Sequence, residues 1–189
     1  VPEWYISSCK KIKYMFPKAH AAAYVMSAIR LGWYKVHMPI AFYCAMLTVA
    51  PGGFDAEIVS GGKNAVVRKI KEIEKMGRDA SQKEQGMIST LQLVNECYAR
   101  GIKFLPISLE KSDARAFLPE NGGIRMPFLS LGGLGENAAL NIIDARNESQ
   151  FFSVEDLQIR GKVSKSVIDI LRKNHVLDTL SETDQLSMF

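Results

Sequence analysis

Three stretches of this sequence carry side chains able to do chemistry, and in each the chemistry is holding rather than cutting. The first is "KKIKYMFPKAHAAAY", Lys10 to Tyr24, where four lysines and His20 surround aromatic residues and Pro17 ahead of a helical pattern. A basic loop at a helix start suits a triphosphate, because lysine brings a mobile charge and the first backbone N–H groups have no partners. On composition alone the same residues also describe an amphipathic helix with a solvated basic face. The second is "LGGLGENAALNIIDAR", Leu131 to Arg146, where Gly132, Gly133 and Gly135 crowd a turn directly before a helix. Such a turn lets a phosphate oxygen approach the backbone of Gly133, Leu134, Gly135 and Asn137, a contact that carries no base information. An ordinary glycine-rich connection between helices fits it too, and Glu136 adds a carboxylate beside the expected phosphate. The third is the end, "SETDQLSMF", three large apolar side chains near a free carboxylate. They either fold back onto the body or serve as bait for another protein.

A second, degenerate copy of the glycine turn follows in "DLQIRGKVSKSVIDIL", where Gly161-Lys162-Val163 leads into a helix capped by Ser164. Lys162 and Lys165 could neutralise phosphates there, and lone lysines are equally at home as solvated surface charges. Cys9, Cys44 and Cys97 are odd in number and widely spaced. They match neither a disulfide framework nor a metal-ligand spacing, so a reducing cytoplasm is expected.

The elements that must position these residues follow from periodicity. "PEWYISSCKKI" reads as a helix with Pro2 at its start, and Pro17 opens the next. In "HAAAYVMSAIRLGWYKVH" the apolar residues Ala22, Met26, Ile29, Trp33 and Val36 mark one face of a long helix. Pro39 opens a helix through Val49, ended by "APGG". Val67, Ile70 and Ile73 share a face of a helix stopping at Gly77. Ser81-x-x-Glu84 is a capping box ahead of Met87, Leu91, Val94 and Tyr98. After Gly101 the texture changes. "IKFLPISL" has strand character, "ARAFLPENGGIRMPFL" predicts a β-hairpin turning at Asn121-Gly122-Gly123, and short helices follow at "ENAALNIIDARN", "SVEDLQIR" and "SKSVIDILRKN". The expected fold is mainly α with a small β-hairpin. The expected divisions are 1–102, 103–176 and a flexible tail over 177–189, whose "DTLSETD" suits a tether.

Totals narrow the classes. Of 189 residues 47% are hydrophobic, and the mean hydropathy of -0.02 is that of a globular chain. No apolar run reaches the ~18 residues of a membrane span. "VPEW" has neither an initiator Met nor a signal-peptide layout, so a piece of a longer chain is expected. Residues 1–40 hold six Lys/Arg against one Glu, while residues 136–189 hold six against nine Asp/Glu. A polyanion is drawn to the first part and repelled by the last.

These motifs, in this order, resemble a known family. Leu131-Gly132-Gly133-Leu134-Gly135 resembles the helix-hairpin-helix of DNA-binding proteins, where hydrophobic-x-Gly-hydrophobic-Gly opens the second helix. Phe16, Lys18, His20, Ala22, Ala23 and Tyr24, continued by Trp33/Tyr34, Lys35, His37 and Pro39, look like the fingers segment of bacterial replicative DNA polymerase III α subunits. The start "VPEWYISSCKKIKYMFPKAHAAAYV" and the end "DQLSMF" resemble the PolC type, in which a Gln-Leu-Ser-Leu-Phe clamp-binding tail follows the helix-hairpin-helix region; Met188 stands for Leu here. The resemblance implies the C-terminal part of a polymerase: fingers end, tandem helix-hairpin-helix region, clamp tail. It implies incoming-nucleotide contacts from Lys18, His20 and Tyr24, duplex contacts from Gly133, Leu134, Gly135, Asn137, Lys162, Ser164 and Lys165, and sliding-clamp contacts from Gln185, Leu186, Met188 and Phe189. The partners would be primer-template DNA, a deoxynucleoside triphosphate and the clamp, in a bacterial cytoplasm beside the nucleoid and with no membrane. Nucleotidyl transfer needs two metal ions held by carboxylates ~3.5–4 Å apart. The family's Asp-x-Asp signature is absent from this chain. No cofactor or catalytic residue is therefore expected here, Mg²⁺ is expected in the palm of the whole enzyme, and the isolated chain is expected to be inactive. Two alternatives remain open: a free-standing helix-hairpin-helix DNA-binding protein, and a clamp-tethered adaptor without polymerase activity.

Overall fold

The computed structural model describes residues 1–13, 16–49 and 53–183, and these divide into two compact units, Val1–Pro39 and Ile40–Phe189. The first unit holds helix α1 (Glu3–Lys11) and helix α2 (Lys18–His37), preceded by Pro2 and Pro17 in extended conformation. Glu3 in the first turn of α1 and Lys10 and Lys11 in its last complement the helix dipole. Neither helix buries a residue. The apolar stripe of α2 forms as the spacing predicts, yet Met26, Ile29, Trp33 and Val36 are exposed.

The second unit takes up the chain in helix α3 (Pro39–Val49) and continues through α4 (Ala56–Ser60), α5 (Gly62–Met76) and α6 (Gln82–Ala99). The box predicted at the start of α6 is complete: Ser81 Oγ accepts from Glu84 N at 3.2 Å and Ser81 N donates to the Glu84 carboxylate at 2.9 Å. Met87, Leu91 and Val94 are buried along α6, and the Tyr98 hydroxyl donates to Val59 O at 2.7 Å. On α5 the buried face is Val66, Ile70 and Ile73, with Val67 half-buried beside it. That corrects the predicted face by one residue. The period fixes a stripe and not its centre line, and two adjacent valines give sequence no means of choosing between them.

Past Gly101 a three-stranded sheet forms, in the order β1 (Lys103–Leu105), β3 (Gly123–Arg125), β2 (Leu118–Glu120). The predicted hairpin is β2–β3, antiparallel, with Glu120 opposite Gly123. Its two loop residues, Asn121 at φ 48° and Gly122 at φ 77°, are both left-handed, which is the type I′ turn that Asn-Gly favours. β1 joins as a parallel neighbour of β3. Arg125, nearly buried on β3, donates to Glu120 at 2.7 Å, and Lys111 meets the same carboxylate at 2.8 Å.

Helices α7 (Glu136–Glu148), α8 (Val154–Arg160) and α9 (Lys165–Lys173) follow. One core cluster runs from Tyr43, Leu47 and Val59 through Ile124 and Phe128 to Ile142, Leu157 and Leu171. The texture change at residue 102 falls inside this unit and its continuous core. Of 177–189, Leu177 is buried and Ser181 and Glu182 are hydrogen-bonded to the start of α8; residues 184–189 lie outside the described ones. Among the described residues no helix is long and apolar enough to cross a membrane.

Candidate nucleic-acid interface

The two glycine-turn segments, dissimilar as strings, have one backbone design. In the first, Gly133 has φ +87°, Leu134 is 5% exposed, and Gly135 (φ -80°, ψ 157°) caps α7. In the second, Lys162 has φ +46°, Val163 is 6% exposed, and Ser164 (φ -73°, ψ 160°) caps α9. Each is thus a left-handed residue, a buried apolar anchor, an extended cap and a helix. The helices also bury matching positions: Ala139 and Ile142 on α7, Ile168 and Leu171 on α9. The anchors explain the resemblance to hydrophobic-Gly patterns. Leu134 and Val163 hold each turn to the core, while Gly133, Gly135, Asn137, Lys162, Ser164 and Lys165 are exposed. Leu134 therefore serves the surface through its backbone and its packing, its side chain being buried.

The turns differ in detail. A Cβ on Gly133 would lie 3.1 Å from Ile170 Cδ1 of α9, so α9 packs under the first turn. Gly135 is open, with nothing within 4 Å of an added side-chain carbon and no left-handed φ. At the second turn Ser164 Oγ accepts from Val167 N at 3.4 Å and sits 2.7 Å from Ser166 Oγ. Lys162 and Lys165 take part in no ion pair among the described residues. Glu136, at the first position of α7, is neutralised by Arg115 at 2.7 Å. Sequence gives no sign of that pairing, because 21 positions separate the two residues and a sheet intervenes.

Arginines fasten the frame behind the turns. Arg160 donates to Ala145 O, to Ser149 O at 2.9 Å and to Gln150 O at 3.4 Å, closing the C-terminal end of α7. It pairs with Asp156 at 3.1 Å and lies over the Phe151 ring at 5.1 Å. Arg146 donates to Leu109 O at 2.8 Å and Ser112 O at 2.6 Å, and burial lowers its pKa from the usual guanidinium value. The Asp156–Arg160 spacing was readable as a helical pair. The carbonyl contacts carried no sequence signal.

In the first unit Lys18 opens α2, His20 sits two residues on, and Tyr24 one turn further. The structure brings His20 and Tyr24 together edge to face, with ring centroids 4.6 Å apart, and stacks Phe16 on His20 at 4.7 Å. His20 contacts both rings, and the start of the helix lacks a side-chain cap. Lys18, about 160° around the helix from His20 by the 100° step, is not part of that stack. Gln185, Leu186, Met188 and Phe189 lie outside the described residues.

Comparison with known proteins fits this geometry. The model of a helix-hairpin-helix motif matches residues 101–186, which include both turns. Over its whole length the chain is 50% identical to DNA polymerase III PolC-type of Lacticaseibacillus paracasei, covering 13% of that protein. It is 46% identical to the proteins of the same name from Clostridium perfringens and Bacillus subtilis, again over all of this chain and 13% of theirs. Along its whole length the chain matches one segment of the DNA polymerase III PolC-type sequences. It spans about 13% of the length of these curated relatives and is a small part of such a sequence. Within this PolC-type segment no three His, Cys, Asp or Glu side chains among the described residues gather as a metal site.

Proposed function

We propose that this chain is the C-terminal part of a replicative DNA-directed DNA polymerase, supplying grip and targeting while the palm supplies chemistry. Its divisions of labour are 1–102 for the fingers end and linking helices, 103–176 for duplex binding and 177–189 for the clamp tail. The observation that carries the reading is the pair of matching turns, each exposing backbone and polar groups over a buried anchor. Lys162 adds weight. A non-glycine residue held left-handed costs roughly 1–2 kcal/mol, yet here the second turn carries a lysine where the first has glycine. A cation kept at that tip suits phosphate, and phosphate contacts position a protein without reading sequence. Lys18, His20 and Tyr24 are proposed to face the triphosphate of the incoming nucleotide, acting by charge and hydrogen bonding rather than proton abstraction. Mg²⁺ would be held in the palm, outside this chain. Gln185, Leu186, Met188 and Phe189 are proposed to dock in the sliding clamp. Ordering such a peptide offsets much of its apolar gain, and micromolar affinity follows, on the order of -8 kcal/mol. Bacterial cytoplasm, beside the nucleoid, is the matching location.

The test is duplex binding against salt. Two unrelated duplexes should bind within ~10-fold of each other, with affinity falling steeply as salt rises. Removing residues 185–189 should leave that binding unchanged and abolish retention by the clamp. A larger preference between duplexes would mean base readout and defeat the backbone-grip reading. A truncated chain that still holds the clamp would defeat the tail assignment.

A further inference from the structure

We propose that Arg115, which lies outside both helix-hairpin-helix turns, is the cation of the first turn and meets a backbone phosphate of the bound duplex there. The inference rests on the duplex reading above and deepens it. Superposing the two turns by their shared backbone states puts Gly133 on Lys162, Leu134 on Val163, Gly135 on Ser164 and Glu136 on Lys165. At two of these four positions the second turn has a lysine. The first has a glycine and a carboxylate. Left alone, Glu136 would repel the anion that Lys165 attracts, and the two turns could not share one ligand chemistry.

Arg115 removes that contradiction. Its guanidinium lies 2.7 Å from Glu136 and remains 64% exposed, so it neutralises the carboxylate while keeping donors free for a second oxygen anion. The backbone beneath it is fixed. Asp113 Oδ1 accepts from Arg115 N at 2.8 Å and from Ala116 N at 2.7 Å, and Leu129 N donates to Ala114 O at 3.0 Å, tying this loop to the segment that enters the first turn. An exposed ion pair contributes little to stability, so folding alone gives this one little purpose. An arginine that spans a carboxylate and a phosphate uses the planar fork that a lysine lacks. The first turn thus borrows from a neighbouring loop the charge that the second carries on its own helix.

The experiment measures salt-dependent duplex binding by the full-length polypeptide that carries this chain, in EDTA so that no chemistry occurs. Each lost phosphate contact should lower the slope of log affinity against log salt by about 0.9. Arg115→Ala should lower it by about one, and Arg115→Lys should keep most of it, separating charge from shape. Arg115→Ala combined with Glu136→Lys should restore the slope, because it rebuilds the first turn in the pattern of the second. Arg172→Ala, which removes a comparably exposed arginine paired with Asp169 and Glu182, should leave the slope unchanged. Joint replacement of Lys162 and Lys165 by Ala tests the parent reading and should lower the slope by about two. If that joint variant loses slope while Arg115→Ala does not, or if Glu136→Lys fails to rescue, the assignment of Arg115 is wrong and duplex binding stands. If no variant moves the slope, the duplex reading falls and this inference with it.

Discussion

In Val1–Pro39 the 20-residue helix α2 leaves Met26, Ile29, Trp33 and Val36 each more than half exposed, whereas in Ile40–Phe189 the helices α8 and α9, of 7 and 9 residues, bury Leu157 and Leu171 completely. Length and burial are therefore uncoupled in this chain. The long helix is ordered by local hydrogen bonds and propensity. Helices as short as α8 and α9 are marginal in water and persist because one face enters a core. A helical pattern in sequence reports the first kind of order reliably and leaves open what covers the stripe.

The largest expected effect comes from truncating one apolar residue in each unit. Leu157→Ala should cost about 2–5 kcal/mol, since a fully buried leucine leaves a cavity. Ile29→Ala should stay within roughly 0.5 kcal/mol, because its side chain is already mostly in water. Chemical denaturation of the 189-residue chain, followed by far-UV dichroism, measures both. Equal losses would mean that α2 is held by burial after all, and the contrast would collapse.

A glycine comparison sharpens the same point with opposite signs. Gly32 lies inside α2 with nothing within 4 Å of an added side-chain carbon, so Gly32→Ala should raise helix stability by about 0.5–1 kcal/mol. Gly133→Ala meets both a φ of +87° and Ile170, and should cost roughly 1–2 kcal/mol. Thermal melts of the two variants give the signs directly. A stabilising Gly133→Ala would show that the first turn can relax out of its left-handed state.

The smallest effect is acid sensitivity confined to the second unit. Hydrogen bonds from Arg125 and then Lys111 hold the Glu120 carboxyl down at about 2, below its ordinary value of 4.5. A depressed carboxylate adds stability that is fully present above about 4.5 and is lost as pH falls toward 2. Protection from amide exchange at residues 118–125, taken relative to the free-peptide rate at each pH, should fall over that window, while Glu120→Gln should flatten the response. The first unit has one carboxylate side chain, Glu3, and both tryptophans. Tryptophan fluorescence should therefore miss the change that exchange detects.

What the sequence made legible was short-range. Ser81 and Glu84 are three residues apart, and their reciprocal bonds follow from that spacing. Asn121-Gly122 announced a turn because few residues accept two successive left-handed conformations. The site was legible to the same depth: glycines ahead of a helix, a serine cap, two lysines. Long-range partners were not. That β1 lies parallel to β3, that α9 supports Gly133, and that Arg115 faces Glu136 depend on how separate elements pack, and no local period encodes it. The buried state of Leu134 belongs to the same class, since an apolar residue between glycines reads equally well as an anchor or as an exposed contact.

The strand-like bridge after α9 has a mechanical consequence. Val154 N donates to Ser181 O at 2.9 Å, Glu155 N to Glu182 O at 3.2 Å, and Arg172 grips Glu182 at 2.9 Å. A pull on the chain beyond Thr183 is therefore delivered at Glu182 to the front of α8 through backbone bonds and to α9 through Arg172. From α8 it passes through Arg160 to the end of α7, so tension is shared between the two helices that carry the turns instead of peeling one away.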